Sequence, residues 1–372
     1  MRLRNGLRSC RNKIFHPNSS HQVEGLGWSE PNHPLNSTPE HSTRPLIYDN
    51  HGRPITYVRL AVTDRCNLRC FYCMPEEGVK YLAKSKLLTY EEMLRTVSVL
   101  SELGVSKVRI TGGEPFVRNN LIDFMYQLSE IGGINELNIT TNGILTGNYI
   151  RQMKEMGVRS VNLSLDTLDK QRFYDIARRD EFDKVYATLF QLLNANFDVK
   201  INAVVMDGKN TEDILPMVEL TRNHKVSVRF IEEMPFNGEG SHYPKLNWNL
   251  HRILAEIKSQ YPDLQKLTDL PNSTSYNYQV PNYQGNIGII AAFSRTFCGT
   301  CNRIRLTATG DLKTCLYDEG VLNIKDLLRD GITDNDLKAV FLKVFSNRPK
   351  DGFEAERNRK SVISESMTTI GG

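Results

Sequence analysis

The residues best placed to do chemistry are six cysteines gathered in two tight groups. The first is Cys66-Asn-Leu-Arg-Cys70-Phe-Tyr-Cys73, a C-x3-C-x2-C spacing. Three thiols on one short loop cannot pair off as disulfides without leaving one over. As thiolates they can hold three irons of a cubane cluster, whose fourth iron then lacks a protein ligand and is free to bind something else. A zinc loop or buried structural cysteines are the plainer alternatives, but zinc wants four ligands, commonly in C-x2-C pairs. The second group is Cys298, Cys301 and Cys315, spaced C-x2-C-x13-C. It too is a ligand short, for the nearest histidine is the remote His251. Three ligands leave an open catalytic zinc or a second cluster with an open iron. Beside the first group, the second cluster is the preferred reading.

These cysteines must be carried by a scaffold. Tyr57-Val-Arg-Leu-Ala-Val-Thr63 is a β-branched apolar run, so the first group sits on the loop leaving a strand's carboxyl end. From about Leu46 onward strands and helices alternate. The predicted strands are Val58–Thr63, Lys107–Thr111, Glu136–Thr140, Ser160–Leu165, Val199–Val205 and Val226–Ile231. A helix opens on the capping box Thr89-Tyr-Glu-Glu92, carries Met93, Val97, Leu100 and Leu103 on one face, and closes at Gly104. Further helical patterns run over 121–131, 146–156, 184–196 and 211–222. Repeated β-α units predict a parallel sheet with right-handed crossovers, and six of them predict an open, partial (β/α)6 barrel. In such folds the loops after the strands' carboxyl ends build the site.

Those loops are informative. Thr111-Gly112-Gly113-Glu114-Pro115 offers two glycines for close backbone approach and Glu114 as an acceptor for an ammonium group. Thr140-Thr141-Asn142-Gly143, Ser164-Leu-Asp166 and Glu232-Glu233-Met234-Pro235 follow the later strands. Each alone reads as a turn or cap; their recurrence at matching positions predicts one shared pocket.

A C-terminal α+β unit is expected to follow the polar linker Asp269-Leu-Pro-Asn-Ser-Thr-Ser275, giving segments 46–270 and 271–372. Arg303 to Cys315 reads as a hairpin turning at Thr309-Gly-Asp311, which returns Cys315 toward Cys298 and Cys301. Arg303 and Arg305 alternate onto one strand face, and guanidinium forks suit phosphate. The chain ends Met367-Thr-Thr-Ile-Gly371-Gly372; such a tail is a frayed end or is thin enough to thread into a site.

Composition frames these expectations. The 372 residues are 40% apolar and 24% charged, an ordinary globular balance. The net charge of +4 is mild and concentrates on no basic, aromatic-lined face, which argues against nucleic acid. No run approaches the ~20 apolar residues needed to span a bilayer. Seven cysteines in a chain this long are no disulfide framework and indicate a reducing compartment. Residues 1–45 are Arg-rich at the start, then rich in Ser, Asn, Pro and His, and predict a disordered extension that includes the lone Cys10. The expected location is cytoplasmic, or the mitochondrial matrix if that extension is a transit peptide.

With both cysteine groups and the diglycine end in hand, the sequence from about Leu46 onward resembles the GTP 3′,8-cyclases. These are lyases of the radical S-adenosylmethionine (radical SAM) superfamily that take the first step of molybdenum cofactor (molybdopterin) biosynthesis. The likeness rests on Val62-Thr-Asp-Arg-Cys-Asn-Leu-Arg-Cys-Phe-Tyr-Cys-Met-Pro75, Arg109-Ile-Thr-Gly-Gly-Glu-Pro115, Phe297-Cys-Gly-Thr-Cys-Asn-Arg-Ile-Arg-Leu-Thr-Ala-Thr-Gly310 and the terminal Gly-Gly. It implies a TIM-like radical SAM barrel in which Cys66, Cys70 and Cys73 bind one [4Fe–4S] cluster. SAM would lie near Tyr72, Gly113, Ser164 and Met234. Cys298, Cys301 and Cys315 would bind a second [4Fe–4S] cluster whose open iron meets the guanine. GTP contacts are implied for Arg59, Arg109, Thr141, Lys200, Arg303 and Arg305, and a part in catalysis for Arg59, Gly371 and Gly372. The implied reaction removes the ribose 3′ hydrogen with a 5′-deoxyadenosyl radical and joins C3′ to C8, giving (8S)-3′,8-cyclo-7,8-dihydroguanosine triphosphate. Expected partners are a flavodoxin- or ferredoxin-like electron donor and cyclic pyranopterin monophosphate synthase as acceptor of the product; a homodimer is open.

The rival readings are a peptide-modifying radical SAM enzyme with auxiliary clusters and a non-catalytic protein holding zinc at both sites. Auxiliary-cluster extensions typically hold more cysteines, whereas three with interleaved arginines suit a nucleotide. Iron content near eight per chain separates a two-cluster protein from the zinc reading.

Overall fold

The computed structural model describes residues 46–238 and 245–371. The expected N-terminal extension with Cys10, and Gly372, lie outside the described residues. Six strands, β1 (Tyr57–Ala61), β2 (Lys107–Thr111), β3 (Glu136–Thr141), β4 (Ser160–Ser164), β5 (Asp198–Val205) and β6 (Val226–Glu232), are successive parallel neighbours. They alternate with α1 (Tyr90–Glu102), α2 (Leu121–Ser129), α3 (Ile150–Glu155), α4 (Lys170–Ala177), α5 (Phe182–Asn194) and α6 (Ile214–Asn223). The predicted (β/α)6 arrangement is therefore present.

The remaining strands extend this sheet at both edges. After α7 (Leu250–Gln260) come β7 (Gln265–Lys266), β8 (Tyr276–Gln279) and β9 (Asn286–Ile290), with β9 parallel to β6. At the other edge β10 (Arg303–Leu306) runs parallel to β1 and is followed by β11 (Asp311–Lys313) and β12 (Leu322–Asn323), both antiparallel additions. The order β12-β11-β10-β1-β2-β3-β4-β5-β6-β9-β8-β7 leaves the sheet open, as a partial barrel requires. Strands from both sides of residue 270 thus share one sheet. Helices α8 (Ile324–Arg329), α9 (Asp334–Phe345), α10 (Gly352–Arg357) and α11 (Met367–Ile370) complete the chain.

Local chemistry explains the elements. The capping box holds: Thr89 Oγ1 accepts from Glu92 N at 3.2 Å while Glu92 accepts from Thr89 N at 2.8 Å. Met93, Val97 and Leu100 are fully buried, and Gly104 ends the helix at φ +97°. Val58, Leu60, Val108 and Ile110 have no exposure and join the cores of α1 and α2 in one apolar cluster. Their alternate neighbours Tyr57, Arg59, Lys107 and Arg109 therefore project to the opposite, inner face. Two expected helices open as 3₁₀ turns, Thr146–Tyr149 and Thr211–Asp213. Helix α4 was outside the predicted pattern; its signal is Asp169, whose side chain accepts from Arg172 N at 2.8 Å.

Candidate active site

Both cysteine groups face cavities at the inner side of the sheet. The first cavity, of about 180 Å³, is lined by Cys66, Cys70, Cys73, Tyr72, Gly112, Gly113, Thr141, Ser164, Asp166 and Met234. Here the glycine pair has a measurable reason. A Cβ on Gly113 would stand 2.2 Å from Arg65 O, and one on Gly112 2.6 Å from Thr63 O. Without side chains the two loops clasp through Gly113 N to Thr63 O (2.9 Å) and Glu114 N to Arg65 O (2.7 Å).

Glu114 corrects an expectation. Its carboxylate does not await an ammonium group: it is fully buried and accepts from Thr141 Oγ1 (2.8 Å), Asn142 N (2.7 Å) and Phe116 N (3.2 Å). Burial pushes it up to about 7 in spite of those donors. The carboxylates that do line the cavity are Glu233 and Asp166; Asp166 accepts from Tyr72 OH at 2.8 Å and Val204 N at 2.9 Å and is pushed up by burial to about 6. Thr141 lies in this cavity, its hydroxyl engaged with Glu114 and Thr146, and not among the arginines with which it was grouped as a GTP contact.

The second cavity is larger, about 400 Å³, and takes in Cys298, Cys301 and Cys315. Arg59, Lys107, Arg109, Lys200, Arg229, Arg295, Arg303 and Arg305 line it, and no carboxylate among the described residues does. Strand register sets the array: Arg305, Arg59 and Arg109 are side by side across β10, β1 and β2, and Arg303, Tyr57 and Lys107 form the adjacent row. Burial lowers the Arg59 guanidinium to about 9, with Arg305 adding repulsion; burial and Arg109 bring Arg229 to about 10. Burial alone would raise the Tyr57 phenol, but Arg109, Arg59 and Lys107 outweigh it and bring it to about 8. Lys107, Lys200 and Arg295 are paired with Glu136, Asp198 and Glu356, none of which lines the cavity; so many cations on one wall suit a polyanion.

Several cations are already oriented. Arg109 donates to Tyr57 OH (2.7 Å) and Ile139 O (3.0 Å), and Arg305 to Gly371 O (2.6 Å). Lys200 contacts Asp198 and donates to Ser160 Oγ at 2.9 Å. Nη2 of Arg303 is buried without a hydrogen-bond partner among the described residues. Lys107, Arg229 and Tyr57 went unremarked in the sequence, though their two-residue offset from Arg59 and Arg109, or parallel register, could have found them. The polar linker is also part of the site, for residues 270–275 line the second cavity. Asn202, Ile231, Met234 and Met367 line both cavities, so the two adjoin.

All six cysteines are free thiols. Burial pushes Cys66 up to about 11 and Cys73 to about 12, whereas Arg303 and Arg348 outweigh burial at Cys301 and bring it to about 7. Thiols within each group feel one another's charge. Yet among the described residues no three His, Cys, Asp or Glu side chains stand close enough to hold a metal ion. A tetrahedral zinc, with bonds of about 2.3 Å, would draw its thiolates to about 3.8 Å. Three thiols beside a cavity can each serve one iron of a cluster and leave the fourth iron facing that cavity.

Comparison with known proteins agrees with this geometry. Residues 60–221 match the model of the radical SAM superfamily, and residues 226–354 match Molybdenum Cofactor Synthesis C. A GTP 3′,8-cyclase of Syntrophomonas wolfei is 39% identical over 338 residues, covering 88% of this chain and 100% of that protein. Molybdenum cofactor biosynthesis protein 1 of Drosophila melanogaster is 42% identical over 284 residues, covering 76% of this chain and 50% of that one. The chain thus spans about half the length of such animal relatives. Among solved structures, Streptococcus suis SuiB superposes with a TM-score of 0.55 at 14% identity, covering 85% of this chain and 77% of that one, a likeness of fold.

Proposed function

The chain belongs to the GTP 3′,8-cyclase family of radical SAM proteins, and we propose that it converts GTP to (8S)-3′,8-cyclo-7,8-dihydroguanosine 5′-triphosphate in molybdenum cofactor biosynthesis. One observation carries this reading: a cavity lined by eight cations, and by no carboxylate among the described residues, adjoins the cavity of the first thiol triad. A nucleoside triphosphate is a polyanion with a neutral, oxidisable sugar, and such a pair of cavities can hold both parts.

Cys66, Cys70 and Cys73 would hold one [4Fe–4S] cluster, and Tyr72, Gly113, Ser164 and Met234 would lie beside SAM. Cys298, Cys301 and Cys315 would hold the second cluster. When bound, the first cluster and SAM supply the one-electron chemistry that removes the ribose 3′ hydrogen. The protein does the rest. Arg59, Arg109, Arg303, Arg305 and Lys200 neutralise the phosphates, with Lys107 and Arg229 completing the array. The apolar wall of Ile231, Met234 and Met367 lies between the cavities and keeps water from a reactive sugar. The reading also requires an external one-electron donor, of flavodoxin or ferredoxin type, and a following enzyme to take the product.

The test is an anaerobic assay of reconstituted protein with SAM, dithionite and GTP, with products resolved by mass spectrometry. A cyclised isomer of GTP, separated from GTP itself by chromatography and formed alongside 5′-deoxyadenosine, supports the proposal. Deoxyadenosine made equally without GTP would remove the substrate; no SAM cleavage by protein bearing both clusters would remove the enzyme.

A further inference from the structure

Tyr57 stands within the cation array of the second cavity. Strand register places it between Arg303 of β10 and Lys107 of β2, with Arg59 two residues further along β1. Its hydroxyl oxygen accepts from Arg109 Nε at 2.7 Å, and Lys107 Nζ is 5.1 Å from the centre of its ring. Arg109 is 5% exposed and donates from Nη1 to Ile139 O at 3.0 Å. Held at Nε and Nη1, its guanidinium keeps only Nη2 without a protein partner among the described residues. Tyr57 thus fixes where Nη2 points.

Two tyrosines line this cavity, and they differ in what becomes of the hydroxyl proton. Tyr317 donates its proton to Ala292 O at 3.0 Å. The Tyr57 proton has no acceptor among the described residues, while its oxygen is already taken by Arg109. Burial alone would raise this phenol, but Arg109, Arg59 and Lys107 outweigh it and bring it to about 8. Arg305 on β10 and Arg229 on β6 also feel its charge. The carboxylate nearest this group of cations, Glu136 on β3, is engaged by Lys107 at 2.7 Å and does not line the cavity.

We propose that Tyr57 is a positioning residue for Arg109 and the exchangeable counter-charge of the array. In the free protein a fraction of Tyr57 is phenolate against the surrounding cations. A bound polyphosphate takes over that role, and the phenolate oxygen takes one proton from solvent; no other bond changes. The proposal rests on the reading that this cavity takes GTP. Phosphate and phenolate repel each other beside one guanidinium, so binding selects the neutral phenol. The competent fraction is about one half at pH 8 and falls to roughly a tenth at pH 9, and the apparent affinity falls with it. Arg59, itself brought to about 9, loses charge only toward the top of this range.

The experiment uses the reconstituted full chain, kept anaerobic, with GTP but neither SAM nor reductant, so that nothing turns over. Calorimetric titration in buffers of different ionisation heat reads GTP affinity and proton uptake together. Wild type is expected to take up about half a proton per GTP at pH 8 and to lose about fivefold in affinity between pH 8 and pH 9. Tyr57→Phe keeps the ring but has no proton to exchange. It is expected to take up close to none at pH 8 and to show a nearly flat affinity over the same range, with weaker binding at pH 7 because Arg109 is released. Wild-type uptake and slope in Tyr57→Phe, or wild type that binds GTP with no uptake, would overturn the proposal. Should the variant misfold, ultraviolet resonance Raman of the wild type at pH 8 decides: the phenolate band must fall when GTP is added, and a constant band overturns the proposal. A wild-type chain carrying both clusters that binds no GTP would overturn the reading of the cavity itself, and the proposal with it.

Discussion

Arg305 and Gly371 meet at 2.6 Å, the guanidinium on β10 donating to the carbonyl of Gly371. Gly371 sits at φ +79°, and a Cβ there would stand 2.6 Å from Thr111 Oγ1 and 3.0 Å from Ala61 Cβ. Gly371 is therefore threaded against β1 and β2. A hydrogen bond to a charged group contributes roughly 1.5–3 kcal/mol, which is about a 10- to 100-fold change in an equilibrium constant. Gly371→Ala should weaken GTP binding by a factor in that range while leaving SAM binding intact, as measured by equilibrium titration of each ligand. Equal losses for both ligands would mean that the tail does not act through Arg305.

Arg229 makes a second test, because nothing in the sequence motifs pointed to it. It lies opposite Asn202 in the register of β5 and β6 and lines the cation-rich cavity. Arg229→Ala should reduce GTP affinity by about 10-fold or more and should reduce affinity for GMP much less, since fewer phosphates are then present to lose the contact. Unchanged GTP affinity would place the triphosphate elsewhere.

The barrel was legible because its signals are local. β-branched runs of the right length, the Thr89–Glu92 capping box and Gly104 mark β-α units without reference to anything distant. The cysteine spacings were equally local, as was the pairing of Arg303 with Arg305 on one strand face. What could not be read were relations between strands far apart in sequence: that β10 would lie beside β1, setting Arg305 against Arg59, depends on tertiary register. Glu114 was misread for a related reason. Its role depends on Thr141 and Asn142 from the next strand's end, and a carboxylate in a glycine-rich loop looks exposed until those donors arrive.

A buried ion network supports the second thiol group. Asp49 Oδ2 lies 2.6 Å from Arg53 Nε and 3.1 Å from Arg348 Nη1; Arg53 also donates to Cys298 O and Arg348 to Cys301 O. All three side chains are at most 5% exposed. Removing one member of such a network leaves buried charge uncompensated, at a cost of roughly 3–5 kcal/mol. Asp49→Asn should lower stability by about that amount in denaturant unfolding at neutral pH. Burial would raise the Asp49 pKa, but donors from Arg53 and His51 outweigh it and hold it below 3.8. Its contribution is therefore fully present above about pH 4 and fades as pH falls through the lowered folded value. The gap between wild type and Asp49→Asn should close in that acid window; a constant gap would show that the carboxylate's charge is not what stabilises.

Gly113 offers the sharpest separation of the two cysteine groups. A methyl group at this position would lie 2.2 Å from Arg65 O and 3.1 Å from Cys66 N, and backbone atoms cannot swing aside as a flexible side chain would. Gly113→Ala must therefore push the loop after β2 away from the loop that carries Cys66. The second triad is held by β10, β11 and Arg348 and touches neither loop's clasp, so it should be spared. Iron in the reconstituted variant should fall from about eight to about four per chain, with loss of the SAM-responsive electron paramagnetic resonance signal and retention of the other. Full iron content with both signals would mean that the clasp is not needed to hold the first cluster, and that the glycine pair serves only the ligand beside it.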